Sequence, residues 1–443
     1  MTASVLAAGA ASVDITPPLG IHMGGYWGRQ SGAVEIGDAL QVKALVVGQD
    51  GAEVALLAFD LVALDAATTA RIRGRIERAC GISATGIMLC CSHTHAGPLT
   101  VAFRGMGDID LAYLEKVEEC AVKAVQAAQS VMQPVRLAYA LPTVQIGHNR
   151  RQTQGPGTQI GYNPEGPVVP YAHVVRLEGD TGLVATLFSH ACHPVVLGSA
   201  NHAISAEFCG VAASVIEAQS GAPALFVNGA CGDINPRVHG GDFAAVEALG
   251  QELAGAVLKG LEEARPVPGA GVGQAVVGAQ LPLLDPPPRF QLEAEKWVLQ
   301  LKGEVKAIAR GGGDEWARKV PQAQLEWTRA MLELARNGVQ NQIQAFEVQG
   351  LRLGGVRLVG MEGEIFSRYQ LDLENQVQEP VILCGYANGC IGYVPTANEY
   401  ERGGYEVDAA YKVYPSVQMI APSSEAIIRA ASAQVLETLG TGR

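Results

Sequence analysis

The sequence predicts an α/β fold: a single large domain with central mixed sheets flanked by helices, plus an inserted helical hairpin. Three observations predict it. Short apolar, β-branched runs alternate with helix-period patterns along the first two thirds of the chain. Reactive polar residues recur where the apolar runs end. Two long helical patterns behind a proline block then interrupt the alternation. With 443 residues, 48% hydrophobic and 17% charged, the chain can bury a large core, and 1–443 reads as one catalytic domain.

Taken in order, 54–59 (VALLAF) is a buried strand, 66–79 a helix and 87–91 (IMLCC) the next strand. Residues 109–129 place Leu111, Leu114, Val117, Ala121 and Val125 at spacings of three and four, the stripe of an amphipathic helix. Strands follow at 135–139, 173–177 and 183–188, then helix at 206–218, strand at 222–227 and helix at 243–264. The segment 285–340 differs. "DPPPRF" blocks helix and strand alike, and helical patterns at 292–309 and 315–337 flank "RGGGD". This is a helical insertion whose role is a lid, an oligomer contact or a structural excursion. Strands resume at 344–348, 351–353 and 356–359, and 424–439 closes the chain as a helix.

The formal charge of -12 with no basic block excludes a nucleic-acid partner. Nine cysteines without a CxxC pair read as buried free thiols in a reducing compartment, not a disulfide framework. The first residues carry no basic n-region, and no apolar run is long enough for an integral membrane segment. A cytoplasmic, bacterial-type enzyme is the expectation.

Five strand ends deliver reactive groups: Asp60; His93 and His95 in "HTHAGP"; His190 and His193 in "SHACHPVV"; Asn228, Asp233 and Asn235 in "NGACGDINPR"; Glu362 and Glu364 in "EGE". Ligands gather at such edges in open α/β sheets. If the chain stays extended through 92–95, His93 and His95 point to one face and share a cavity. His190 and His193 are three apart beside Pro194, so one of them is the ligand candidate. Cys91 and Cys192 should face the core. Glu364 is the carboxylate candidate, with Gly363 as its turn and Glu362 projecting elsewhere. The loop holding Asp233 either offers backbone N–H groups to an oxyanion or uses Asp233 to brace itself. Tyr393, Tyr400 and Tyr405 lie in a polar, glycine-rich stretch that invites phenol as ligand or donor.

In order, "DITPPLGIHMGGYWGR", "HTHAGP", "HNRR", "HPVVLGSANHAISAE", "GDINPR", "EGE" and "YVPTANEYERGGYE" resemble the motifs of the neutral/alkaline non-lysosomal ceramidases, a family of zinc amidases. The resemblance runs from about Ala11 to Ala430. It implies a Zn2+ site of His93, His193, Glu364 and Tyr393, with His95 facing the substrate and Arg150 and Tyr405 polarising the scissile carbonyl. It also implies that the family's C-terminal immunoglobulin-like domain and secretion signal are missing here. Asn235 stands where the family has a serine. An amide is neither nucleophile nor proton carrier, so zinc-bound water would attack directly while Asn235 donates to the oxyanion. Asp233, Glu364 or His95 would then manage the proton. The function implied is amidohydrolysis of a small or lipid-like acyl amide. Ester or lactone hydrolysis on the same site, and a zinc-holding homologue without turnover, are the alternatives.

Overall fold

The computed structural model describes residues 5–269, 271–287, 289–311 and 315–440. Among them, three larger sheets carry the fold. The first orders its strands Ile87–Cys91, Ala52–Phe59, Gln41–Gln49, Ala7–Asp14 and Gln133–Pro134. The second runs Ala224–Asn228, Gly182–His190, His173–Gly179, Arg136–Ala140 and Arg265–Pro266. The third runs Val272–Pro282, Ile343–Leu353, Val356–Met361 and Val381–Cys384. Each sheet is antiparallel except for one parallel pair at its edge. Those parallel pairs matter most, because their strands lead into the loops that hold the reactive groups.

The mixed α/β class, the flanking helices and the inserted hairpin are as the pattern predicts. Several sheets form the centre. Leu45, Leu56, Met88, Leu187, Leu225, Leu358 and Ile382, drawn from all three sheets, form one buried cluster. Their neighbours along each strand face the helices in a second, larger core. This is the period-2 alternation of strands buried on both faces. The strand Ala7–Asp14 (AAGAASVD) is built mostly of alanine and gives little strand signal. The 344–348 and 351–353 runs are one strand, since Gln349 and Gly350 continue the ladder.

Local chemistry sets the helix ends. Asp65, Asp110 and Asp242 each accept an N–H from the first turn, of Thr68, Tyr113 and Ala245. Gly81 and Gly221 end their helices in the left-handed region. The insertion forms two helices, Phe290–Arg310 and Glu315–Arg336. Most of the "RGGGD" break between them lies outside the described residues.

Candidate metal centre

The strand Ile87–Cys91 stops two residues before His93. His93 then adopts a φ of 69°, in the left-handed region, and its N–H bonds Leu61 O at 2.9 Å. The extended stretch expected through 92–95 therefore does not exist. His93 and His95 still meet, with ring centroids 4.7 Å apart, because the backbone kinks and not because a strand alternates. Histidine is among the non-glycine residues that tolerate this region.

His193 follows the strand Gly182–His190, and Glu364 follows Val356–Met361 through Gly363. A φ of 121° at Gly363, and Gly392 O 2.6 Å from where a Cβ would stand, require glycine there. Glu364 pairs directly with Tyr393 in a short parallel ladder. His193 Nε2 lies 3.0 Å and His93 Nε2 3.5 Å from Glu364 Oε2. His93 Nδ1 donates to Val62 O at 2.7 Å, and His193 Nδ1 to Cys231 O at 2.7 Å. Carbonyls only accept, so both rings carry their proton on Nδ1 and turn a bare Nε2 toward the carboxylate.

Three acceptors thus converge on one point, each buried. This donor set asks for a cation, and anchored Nδ1–H groups are the usual second support of a metal-binding histidine. His93, His95 and His193 are grouped closely enough to hold an ion. His95 differs from the other two. Its Nε2 lies 3.0 Å from His93 Nε2, but its Nδ1 is buried with no hydrogen-bond partner among the described residues. Gly25, at a φ of +90°, packs so closely on that ring that a Cβ would stand 2.3 Å from His95 Cγ. The glycine of "MGGY" makes room for this ring.

Arg150 reaches the cluster because Gly147–Gln154 pairs with Ile234–Pro236. Its Nε donates to Glu406 at 2.8 Å, and its Nη1 donates to Asn235 Oδ1 at 3.1 Å and lies 3.4 Å from His193 Nε2. Its Nη2 is buried and has no hydrogen-bond partner among the described residues. The guanidinium fixes the Asn235 amide with its oxygen toward Arg150, which leaves the NH2 as the remaining donor. Arg150 also lies over the Tyr393 ring at 5.2 Å. Tyr405, 40% exposed, has its ring 5.8 Å from that of Tyr393.

Burial pushes the His95 ring well below the ordinary imidazole range, helped by the other two histidines. Burial and Arg150 lower His193 to about 4. Burial likewise favours the neutral phenol of Tyr393.

Other sequence candidates fall elsewhere. Asp233 accepts from Ser367 N at 2.7 Å, Ser367 Oγ at 2.9 Å and Asn149 Nδ2 at 2.9 Å, so its carboxylate braces the loop. The N–H groups of Gly229, Ala230, Gly232 and Ile234 are spent within the fold, so of the two alternatives for this loop the brace is the one the geometry favours. His190 Nδ1 bonds Tyr171 O at 2.9 Å, and Glu362 accepts from Glu347 N. Asp60 lines a separate cavity of about 420 Å³ with Asp38 and Lys43. Asn228 is a clip: its Nδ2 donates to Ser92 O at 2.8 Å and Cys192 O at 3.1 Å, tying the two histidine loops together.

The sequence reading missed Tyr386 and Tyr414. Tyr386 stacks on His93 with centroids 4.0 Å apart. It follows the parallel strand Val381–Cys384, the same strand-end signal as the histidines. The Tyr414 hydroxyl donates to Glu364 Oε1, from an irregular stretch with no such signal.

No protein-family model and no curated protein matches the chain. Among solved structures it is similar to the neutral ceramidase from Pseudomonas aeruginosa, with a TM-score of 0.75 and 18% identity over 99% of this chain and 76% of that one. A ceramidase complexed with C2 matches with a TM-score of 0.73 and 17% identity, over 99% and 76%. The chain therefore has the fold of these ceramidases.

Proposed function

We propose that the chain is a zinc-dependent amidohydrolase that cleaves a linear amide bond in an N-acyl substrate. The observation that carries this is the meeting of two bare imidazole nitrogens and a carboxylate oxygen within 3.0–3.5 Å, a donor set zinc prefers. Likeness to structures named as ceramidases supports the same reading. His93, His193 and Glu364 would hold the ion, with Tyr393 as the fourth ligand. When bound, zinc supplies a water acidified to near neutral pH and a Lewis acid beside the scissile carbonyl.

The chain's own residues do the rest. Arg150, locked by Glu406 and Asn235, offers its unpartnered Nη2 to the carbonyl oxygen as negative charge grows there. The Asn235 NH2 and the Tyr405 hydroxyl are the further donors. Once His93 Nε2 is engaged as a ligand, His95 Nε2 loses that partner and is the ring nitrogen left to carry a proton to the leaving amine. Asp233 braces the loop beneath Arg150, whose N–H bonds Asp233 O at 2.8 Å.

One observation favours a second reading, an ester or lactone hydrolase. Burial holds the His95 ring neutral, and Asn235 replaces a hydroxyl with an amide, so the site is poor in general acids. An alkoxide leaves without one more readily than an amine. We place the enzyme in the cytoplasm, because its nine cysteines are free thiols. No described helix is long and apolar enough to cross a membrane. The test is a panel of N-acyl amino acids, N-acyl amines, esters and lactones, assayed with chelator and after zinc is restored. Amide cleavage lost with chelator and regained with zinc is the expected result. Cleavage of esters alone moves the assignment to the second reading, and cleavage indifferent to chelator refutes both.

A further inference from the structure

Glu364 has two oxygens with different surroundings. Oε2 faces His93 and His193, while Oε1 accepts the Tyr414 hydroxyl. A buried carboxylate with one oxygen tied to a phenol presents the other as a single, directed donor. Tyr414 lies in a stretch without regular structure, yet that stretch is gripped from two sides. On one side Arg104 Nη1 donates to Lys412 O at 3.2 Å and Ser416 O at 3.1 Å, its Nη2 donates to Pro415 O at 2.7 Å, and its N–H donates to Val413 O at 2.7 Å. On the other side stands the helical hairpin. Trp327 Nε1 donates to Val417 O at 2.8 Å, and the Trp327 ring packs on Tyr411 and beneath Lys412 Nζ. The hairpin's own small core of Phe290, Ala294, Met331 and Leu332 builds on this contact.

We propose that Tyr414 is the positioning residue that makes Glu364 a one-oxygen metal ligand, and that the helical hairpin serves to hold Tyr414 in place. The proposal rests on the metal reading above. It assigns the insertion a task in the site, as a strut behind a ligand.

Tyr414→Phe removes only the hydroxyl, and the ring keeps its edge contact with Phe103. Zinc affinity, read by competition with a chromophoric chelator, should weaken 10- to 100-fold, as when other supports of metal ligands are lost. The Co2+-substituted protein should change its visible spectrum as Glu364 turns to two-oxygen binding. Trp327→Phe keeps the aromatic packing and loses the bond to Val417 O. It should weaken zinc several-fold, and add nothing in the Tyr414→Phe background, because both act through one oxygen. Unchanged zinc affinity and cobalt spectrum in Tyr414→Phe overturn the positioning role. A Trp327→Phe that lowers the melting temperature without moving zinc affinity overturns the role of the hairpin. A wild-type chain that binds neither Zn2+ nor Co2+ overturns the metal reading itself, and this proposal with it.

Discussion

Glu364→Gln should act in opposite directions on the metal-free and the metal-loaded protein. Without a cation, Glu364 Oε2 sits 3.0 Å and 3.5 Å from two nitrogens that have no proton to give. Glutamine can keep its carbonyl toward the Tyr414 hydroxyl and turn its NH2 toward the imidazoles. One acceptor-to-acceptor contact becomes a hydrogen bond, a net gain of about 1 kcal/mol for the metal-free fold. The metal-loaded protein loses its only charged ligand among His93, His193, Glu364 and Tyr393. Losing a mere support of a metal ligand costs roughly 10- to 100-fold in affinity. Loss of the ligand itself should therefore cost at least about 100-fold, or about 2.7 kcal/mol. Urea unfolding in excess chelator reads the first effect, and zinc competition reads the second. A Gln variant that binds zinc as tightly as wild type, or whose metal-free form is several kcal/mol less stable, would refute the donor-set argument.

Gly25→Ala should lower kcat/KM more than about 10-fold with zinc content unchanged, since its Cβ would collide with the His95 ring; metal analysis beside kinetics checks both halves. Asn228→Ala breaks the clip between the histidine loops and should cost about 3 kcal/mol in urea unfolding, at about 1 kcal/mol per lost bond. Asp60 carries a pH prediction. Burial, opposed by Lys43, raises its pKa to about 7. A raised carboxyl contributes stability that is fully present below its unfolded value near 4 and is lost as pH rises through 7. Asp60→Asn stays neutral throughout. It should therefore gain about 2 to 3 kcal/mol relative to wild type between pH 5 and pH 8. A gap independent of pH refutes the burial argument.

The α/β class, most helices and the hairpin were legible because apolar periodicity records which face is buried. The site was legible for a different reason: His93, His193 and Glu364 each follow an apolar strand, and their neighbours break it with glycine or proline. What failed was what periodicity does not encode. The left-handed turn at His93 depends on a bond to Leu61 O, and the closing of the Asp233 loop depends on Ser367, far along the chain. Tyr414 had no local signature at all, since its place is fixed by Arg104 and by a helix some ninety residues earlier. Asp60 had the same strand-end signature as the histidines and faces another cavity, so that signal marks an edge and not a site.

The most direct test of the central claim is the metal content of the chain purified without chelator, beside His93→Ala and His193→Ala. The wild type should carry one equivalent of zinc, and each variant should lose most of it while keeping its far-ultraviolet circular dichroism. A wild type without stoichiometric metal, or variants that retain it in full, would contradict the account.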